Sequence, residues 1–270
     1  MVSEEGKLAS YAVTEPGAGS DVAACKTSAV RDGDEYVING SKMWITGAGY
    51  ADFFFVLAKT DVDAGYKGMS GFIVESTAEG FSLGKKEINM GQRCSDTRSI
   101  QFDDVRIPAD QLVGGSESGG WMNAMKAFDM SRPNIAAHAT GLARAAYEHA
   151  LQYSGERSTF GKPLYKHQAI QFMLADMKTK IEASRMLTWK SAADSDAGVQ
   201  NTESAAHAKR FAADTAMEVS TDAVQVFGGY GYSEEYPVAR LMRGAKVMQI
   251  YEGSSQVQKM IIGREITKNL

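Results

Sequence analysis

A chain of 270 residues, 44% apolar and 23% charged, has the composition of an ordinary globular protein and room for one large domain or two smaller cores. Its net charge is −4, and no Lys/Arg cluster exceeds the pair Lys85-Lys86, which argues against a nucleic-acid or anionic-membrane surface. The two cysteines, Cys25 and Cys94, lie outside any metal-ligand spacing, so the reading is reduced thiols packed as small residues, with no metal site.

Met1 to Ser10 shows neither a basic apolar signal nor an Arg-rich transit pattern, and no apolar run approaches the roughly 20 residues that span a bilayer. The expectation is a soluble protein, cytoplasmic in a bacterium or in the mitochondrial matrix of a eukaryote. The apolar stretch Tyr11 to Val13 precedes the Gly-rich turn Thr14 to Ser20. Gly17 and Gly19 invite a dinucleotide fingerprint, but Val22 occupies the third glycine position and no βαβ unit follows. The turn is still rich in backbone N–H donors and suits a phosphate or a flavin edge.

Glu35 to Ile38 and Ser41 to Thr46 flank Asn39-Gly40, which predicts a hairpin turn there. Trp44 ends the second run, where a tryptophan standing alone reads as core. Further strands are expected over 52–58, 71–75, 81–84 and 100–107, giving a small barrel or sandwich over residues 1–113.

Beyond Gly119-Gly120 the period changes. Ile170, Leu174, Met177 and Ile181 form one helical stripe, and Ala-rich segments at 142–153 and 205–227 favour helix. Pro133 should bend or interrupt the first of these helices. A shorter helix around 238–248 and a last one from about Ser254 complete an antiparallel bundle over 114–270. The fold class is thus α+β and multidomain. Arg157 to Gly161 and His167-Gln168 read in isolation as caps and surface polar groups. Tyr251-Glu252-Gly253 sets a carboxylate in an apolar stretch: a helix-start glutamate, or a base.

Six segments occur in one order: Tyr11 to Asp21, Met43 to Thr46, Asn89 to Arg98, Arg157 to Gly161, Gln225 to Gly229, and Gln249 to Gln256. Together they resemble the acyl-CoA dehydrogenase family, most closely its medium- and short-chain members, over about 8–266. The resemblance implies FAD as cofactor. Tyr11, Val13, Thr14, Gly19 and Ser20 would form a flavin-contacting turn, with Ser20 also near the CoA arm. Trp44, Ile45 and Thr46 would line the isoalloxazine. Arg157, Thr159, His167, Gln168, Gln225, Val226, Phe227, Gly228 and Gly229 would hold the pyrophosphate and adenosine, and Gly253, Ser254, Ser255 and Gln256 would return to the flavin. Asp129, Met130, Ser131 and Arg132, with Tyr251 and Glu252, would line the substrate path.

The resemblance further implies α,β-dehydrogenation of a short- or medium-chain acyl-CoA to the trans-2-enoyl-CoA, an enzyme of fatty acid β-oxidation. Glu252 would take the α-proton and flavin N5 the β-hydride. Some family members carry the base just before the arginine that here is Arg132; Ser131 stands at that place, so Glu252 has no rival there. An electron-transferring flavoprotein would be the acceptor, in a homotetramer or dimer. The family's helical N-terminal domain has no counterpart before residue 8, Gln200 replaces an arginine of close relatives, and Tyr66 sits in a shortened loop. These departures motivate two alternatives: a flavin-binding or interaction module without turnover, or a related acyl-CoA oxidase.

Overall fold

The computed structural model describes residues 6–268 and Leu270; the first five residues of the segment read for targeting, which also open the expected β domain, lie outside it. The chain divides into two compact units. One runs to Asn89 and takes up Arg93–Ala127; the other is Met90–Gln92 with Phe128–Leu270. No helix among the described residues is long and apolar enough to cross a membrane.

The first unit is one mixed seven-stranded sheet: β1 (Ala9–Ala12), β2 (Ser28–Asp32), β3 (Glu35–Thr46), β4 (Phe53–Lys59), β5 (Met69–Glu75), β6 (Phe81–Lys86) and β7 (Thr97–Pro108). The order is β1-β4-β2-β3-β7-β6, with β5 on β4. β4 is an interior strand, paired with β5 on one edge and with β1 and β2 on the other, and it is apolar nearly throughout, with Phe54, Val56, Leu57 and Ala58 buried. Phe54, Val56, Phe72, Val74, Ile38, Ile100 and Val105 meet in the core.

The hairpin expected at Asn39-Gly40 is not there. β3 runs unbroken through both residues, and the tight turn lies earlier, at Gly33-Asp34, where Asp32 pairs with Glu35 and Gly33 takes φ 64°. Asn39 instead serves a bulge. Its side-chain amide donates to the Asp104 carboxylate at 2.8 Å and its Oδ1 accepts from the Asp104 N–H at 2.8 Å, where Asp104 turns to φ 50°. Gly40 is glycine for a different reason: a Cβ there would meet Thr27 Oγ1 at 2.6 Å.

The second unit is helical. α1 (Gly120–Glu156) begins in the first unit and continues into the second; α2 (Gln168–Asp196), α3 (Thr202–Phe227), α4 (Pro237–Met248) and α5 (Ser255–Thr267) follow. α3 packs on α2, α4 and α5, so its Ala205, Ala208, Ala212, Ala216, Val219 and Ala223 are buried. The last helix starts where expected, and Ser254 caps it, its hydroxyl accepting from the Val257 N–H.

Of the two outcomes expected at Pro133, an interruption does not occur: α1 continues through it. Proline lacks the N–H that would bond the carbonyl four residues back, which is Asp129. The Asn201 side-chain amide supplies that bond at 3.1 Å. A Pro-broken ladder is thus repaired from outside the helix.

Candidate active site

In the first unit a charged cluster organises the Gly-rich turn. Lys42, fully buried on β3, reaches Glu15 Oε1 at 2.9 Å and the Val13 carbonyl at 3.1 Å. Glu15 also accepts from the Thr27 hydroxyl, the Thr27 and Lys26 N–H groups and the Cys25 thiol. Burial pushes the Glu15 carboxyl up, but Lys42 and these hydrogen bonds outweigh it and hold it down at about 2. The Cys25 thiol is pushed up to about 11 by burial and by Glu15, against the opposing pull of Lys42, so Cys25 is packed and inert. Cys94, in contrast to the expectation for it, is exposed.

From this anchor the chain turns sharply. Glu15 and Ala18 exchange backbone hydrogen bonds, closing the turn, and the Thr14 carbonyl accepts from Met43 N–H at 2.8 Å. The β3–β7 register slips between Lys42 and Ile45. In that slip Trp44 takes φ 63°, a conformation that disfavours a bulky side chain, and remains 56% exposed. The core reading of Trp44 fails. Thr14 and Trp44 are held on adjoining backbone, with Thr46, Gly19 and Ser20 exposed; Tyr11 is half-buried, its ring stacked on Phe55. Val13 and Ile45 are buried, so a ligand could meet them only through their backbone.

In the second unit two groups form. Ser158–Thr159 and Lys162–Pro163 make a small hairpin, turned by Phe160 and Gly161, both at positive φ. His167 bonds the Thr159 hydroxyl and carbonyl, and Gln168, exposed, opens α2. The Arg157 guanidinium lies 6.0 Å from the Tyr230 ring centroid, and Tyr153 stacks on Phe227 at 4.0 Å. The 157–168 and 225–229 segments, far apart in sequence, are therefore neighbours. Gln225, Gly228 and Gly229 are exposed, while Val226 and Phe227 belong to the helical core.

The second group surrounds Glu252. This residue does not start a helix: it precedes the α5 cap, at φ 55°, followed by Gly253 at φ 82°. Two successive left-handed residues turn the carboxylate out of the chain's path. The Ser131 hydroxyl donates to Glu252 Oε2 at 2.7 Å. The Glu252 carbonyl accepts from Gln258 Nε2 at 3.0 Å and Arg132 Nε at 3.4 Å, and the Gly253 carbonyl from Lys209 Nζ at 2.7 Å and Gln258 at 2.9 Å. Arg132, 5% exposed, also pairs with Asp129 at 2.8 Å, and Asp129 accepts from the Thr202 hydroxyl at 2.6 Å. Ser255 donates to Asp214 at 2.8 Å; Tyr251 packs against the helical core; Met130 and Gln256 are exposed.

The structure thus brings Asp129, Ser131, Arg132, Glu252 and Gly253 together and adds Lys209, Gln258, Asn201 and Thr202, which the sequence reading missed. Of the departures, Gln200 is exposed and donates to Thr202 Oγ1 at 3.3 Å, and Tyr66 rests on Trp121 with ring centroids 5.3 Å apart.

Comparison with known proteins bears on the same segments. Residues 10–105 match the model for the acyl-CoA dehydrogenase middle domain and residues 118–267 that for the acyl-CoA dehydrogenase C-terminal domain. The chain is 50% identical over 267 residues to a cyclohexane-1-carbonyl-CoA dehydrogenase of Geobacter metallireducens, covering 99% of this chain and 70% of that protein. It superposes with TM-score 0.95 on butyryl-CoA dehydrogenase from Megasphaera elsdenii, 48% identical, over 97% of this chain and 68% of the other. The same score relates it to a chain solved in work on the electron transferring flavoprotein of Acidaminococcus fermentans, 46% identical, over 98% and 70%. With the turn at Thr14 and the Glu252 cluster both inside the matched segments, the chain belongs to the acyl-CoA dehydrogenase family.

Proposed function

We propose that the protein dehydrogenates a short- or medium-chain acyl-CoA to the trans-2-enoyl-CoA with bound FAD, Glu252 acting as the base. One observation carries this reading: the Glu252 turn, left-handed at two consecutive residues and tied down by side chains of α1, α3 and α5. A left-handed non-glycine residue costs on the order of 1–3 kcal/mol and is retained where a side chain must be aimed.

Each unit, taken by itself, carries residues whose chemistry suits one half of a flavin dinucleotide. The exposed Trp44 beside the Thr14 turn offers a flat apolar face, and a Cβ at Gly17 or Gly19 would meet nothing within 4 Å. In the second unit Arg157 supplies a cation over the Tyr230 ring, and a Cβ at Gly228 or Gly229 would likewise meet nothing within 4 Å, chemistry that suits a pyrophosphate and adenosine. When bound, FAD supplies the acceptor for the β-hydrogen, taken as hydride. Glu252 receives the α-proton, and Ser131 and the turn hold its carboxylate in place. Protein releasing FMN, or no flavin after reconstitution with excess FAD, would remove the cofactor from this reading.

An electron-transferring flavoprotein is the proposed acceptor of the two electrons, and the proposed assembly is a homotetramer or dimer. Light scattering that finds a monomer holding FAD counts against the assembly. The test of the base is anaerobic bleaching of the flavin by butyryl- to octanoyl-CoA. Glu252→Gln keeps size and hydrogen bonding, so FAD stays bound while bleaching slows by about 10⁴-fold or more. Bleaching by Glu252→Gln at the wild-type rate rules Glu252 out as the base.

A further inference from the structure

Lys209 belongs to no reading of the sequence and is fully buried in the middle of α3. A lysine carries three N–H donors and a charge, and burial of such a group costs several kcal/mol unless its surroundings answer it. Its hydrogen-bond acceptor is the Gly253 carbonyl, 2.7 Å away, and that carbonyl belongs to the residue after the proposed base. Three charged groups face the ammonium: Glu252 from the turn before α5, Arg132 from α1, and Asp214 from its own helix. Burial lowers its pKa to about 8, Arg132 adding to this and Glu252 and Asp214 opposing it.

The position gives the lysine a specific effect. Gly253 sits at φ 82°, and a Cβ there would strike Gln258 Nε2 at 2.6 Å, so the turn is packed close against the side chain that shares its carbonyl with Lys209. Gln258 bonds both carbonyls of the turn, Arg132 the first and Lys209 the second. Without Lys209 the second carbonyl keeps one neutral donor. Rotation of the Glu252–Gly253 peptides then re-aims the Glu252 side chain.

We propose that Lys209 is a positioning residue for Glu252, its ammonium clamping the Gly253 carbonyl and thereby fixing the left-handed turn that aims the carboxylate. This rests on Glu252 being the base. A displacement of about 1 Å at a reacting group can cost on the order of 100-fold, so Lys209→Met is expected to slow flavin reduction by about 10- to 100-fold. Half-saturation by butyryl-CoA should stay near wild type, because Lys209 is fully buried and spends its hydrogen bond on the Gly253 carbonyl.

The experiment is anaerobic flavin reduction by butyryl-CoA between pH 6 and 10 in wild type, Lys209→Met and Glu252→Gln. Wild type should lose rate as pH rises through about 8, and Lys209→Met should be slow and lack that limb. Lys209→Met reducing its flavin at the wild-type rate, or keeping the limb, overturns the proposal. A wild-type rate in Glu252→Gln instead overturns the base assignment, a distinct result. If Lys209→Met does not fold, Lys209→Gln, shorter and uncharged, decides: flavin reduction slowed about tenfold or more with FAD retained supports the clamp on the Gly253 carbonyl, and reduction at the wild-type rate overturns it.

Discussion

Each unit buries one lysine completely beside a glutamate, and the two are treated in opposite ways. Lys42 meets its carboxylate directly, at 2.9 Å, and that carboxylate accepts four further hydrogen bonds from Lys26, Thr27 and Cys25. Lys209 meets a backbone carbonyl, shares its surroundings with Arg132, and is left with a depressed pKa of about 8. The first arrangement is closed: every charge is answered where it sits, and the result is a rigid anchor for the Thr14 turn and Trp44. The second is less closed: the Glu252 carboxylate is partly exposed and accepts from the Ser131 hydroxyl, as the proposed base would need to be. A buried charge left partly unanswered beside a left-handed residue marks a candidate functional position, whereas one fully answered fits a scaffold.

The widest separation between the two should come from removing each lysine. Lys42→Met leaves Glu15 buried without its cation, and breaking a buried pair from one side costs about 3–5 kcal/mol. Chemical denaturation of the variant should show a loss of this size, with FAD binding weakened as the Thr14 turn loosens. A loss under about 1 kcal/mol would mean that Glu15 is held by its other donors alone, and the contrast between the units would collapse.

Acid separates them next. The Glu15 carboxyl is held at about 2, below its ordinary 4.5, so its stabilisation is present above pH 4.5 and lost as pH falls through about 2. At 1.4 kcal/mol per unit this is on the order of 3 kcal/mol. Lys209 runs the other way. Its ammonium is disfavoured in the folded state, so its cost is complete below pH 8 and relieved as pH rises from 8 to 10.5. Lys209→Met should therefore melt no lower than wild type at pH 7, and higher by an amount equivalent to at most on the order of 3 kcal/mol, less the lost hydrogen bond. Calorimetry showing Lys209→Met as damaged as Lys42→Met would make Lys209 a scaffold residue too.

What was legible in the sequence follows the range of the interactions involved. Five of the strands, the start of the last helix near Ser254 and the six ordered segments depend on near neighbours or on motif order and could be read; β1 and β2 could not. Asn39-Gly40 misled because its meaning is non-local: Asn39 pairs with a bulge 65 residues away and Gly40 makes room for Thr27. The interruption allowed for at Pro133 failed in the same way, since the Asp129 carbonyl is bonded from Asn201. Lys209 sits between Ala208 and Arg210 in a helix, where a charge reads as a solvated face. Only the packing of α3 against α5 and the other helices reveals it as buried. Glu252 could be proposed from motif order, whereas the groups that hold its turn, Lys209 and Gln258, could not.

The smallest expected effect concerns Ser131, which tests whether the open side of the comparison rests on Lys209 alone. Its single hydroxyl proton has two acceptors in reach, the Phe128 carbonyl at 3.2 Å and Glu252 Oε2 at 2.7 Å. The shorter, charge-assisted bond takes the proton. Ser131→Ala removes it without adding bulk, and Glu252 keeps the backbone ties from Arg132, Gln258 and Lys209. A hydrogen bond to a charged group contributes about 1.5–3 kcal/mol, but a partly solvated carboxylate regains much of this from water, leaving roughly 1 kcal/mol. Flavin reduction by butyryl-CoA should then slow by about three- to tenfold, with no change in FAD content. The double variant with Lys209→Met measures the coupling. If the two side chains fix one carboxylate from its two ends, the losses will not add: once the turn is free, the oxygen–hydroxyl contact has little left to hold. Strictly additive losses would show that Ser131 and Lys209 act on Glu252 independently, and the clamp would then be two separate contacts.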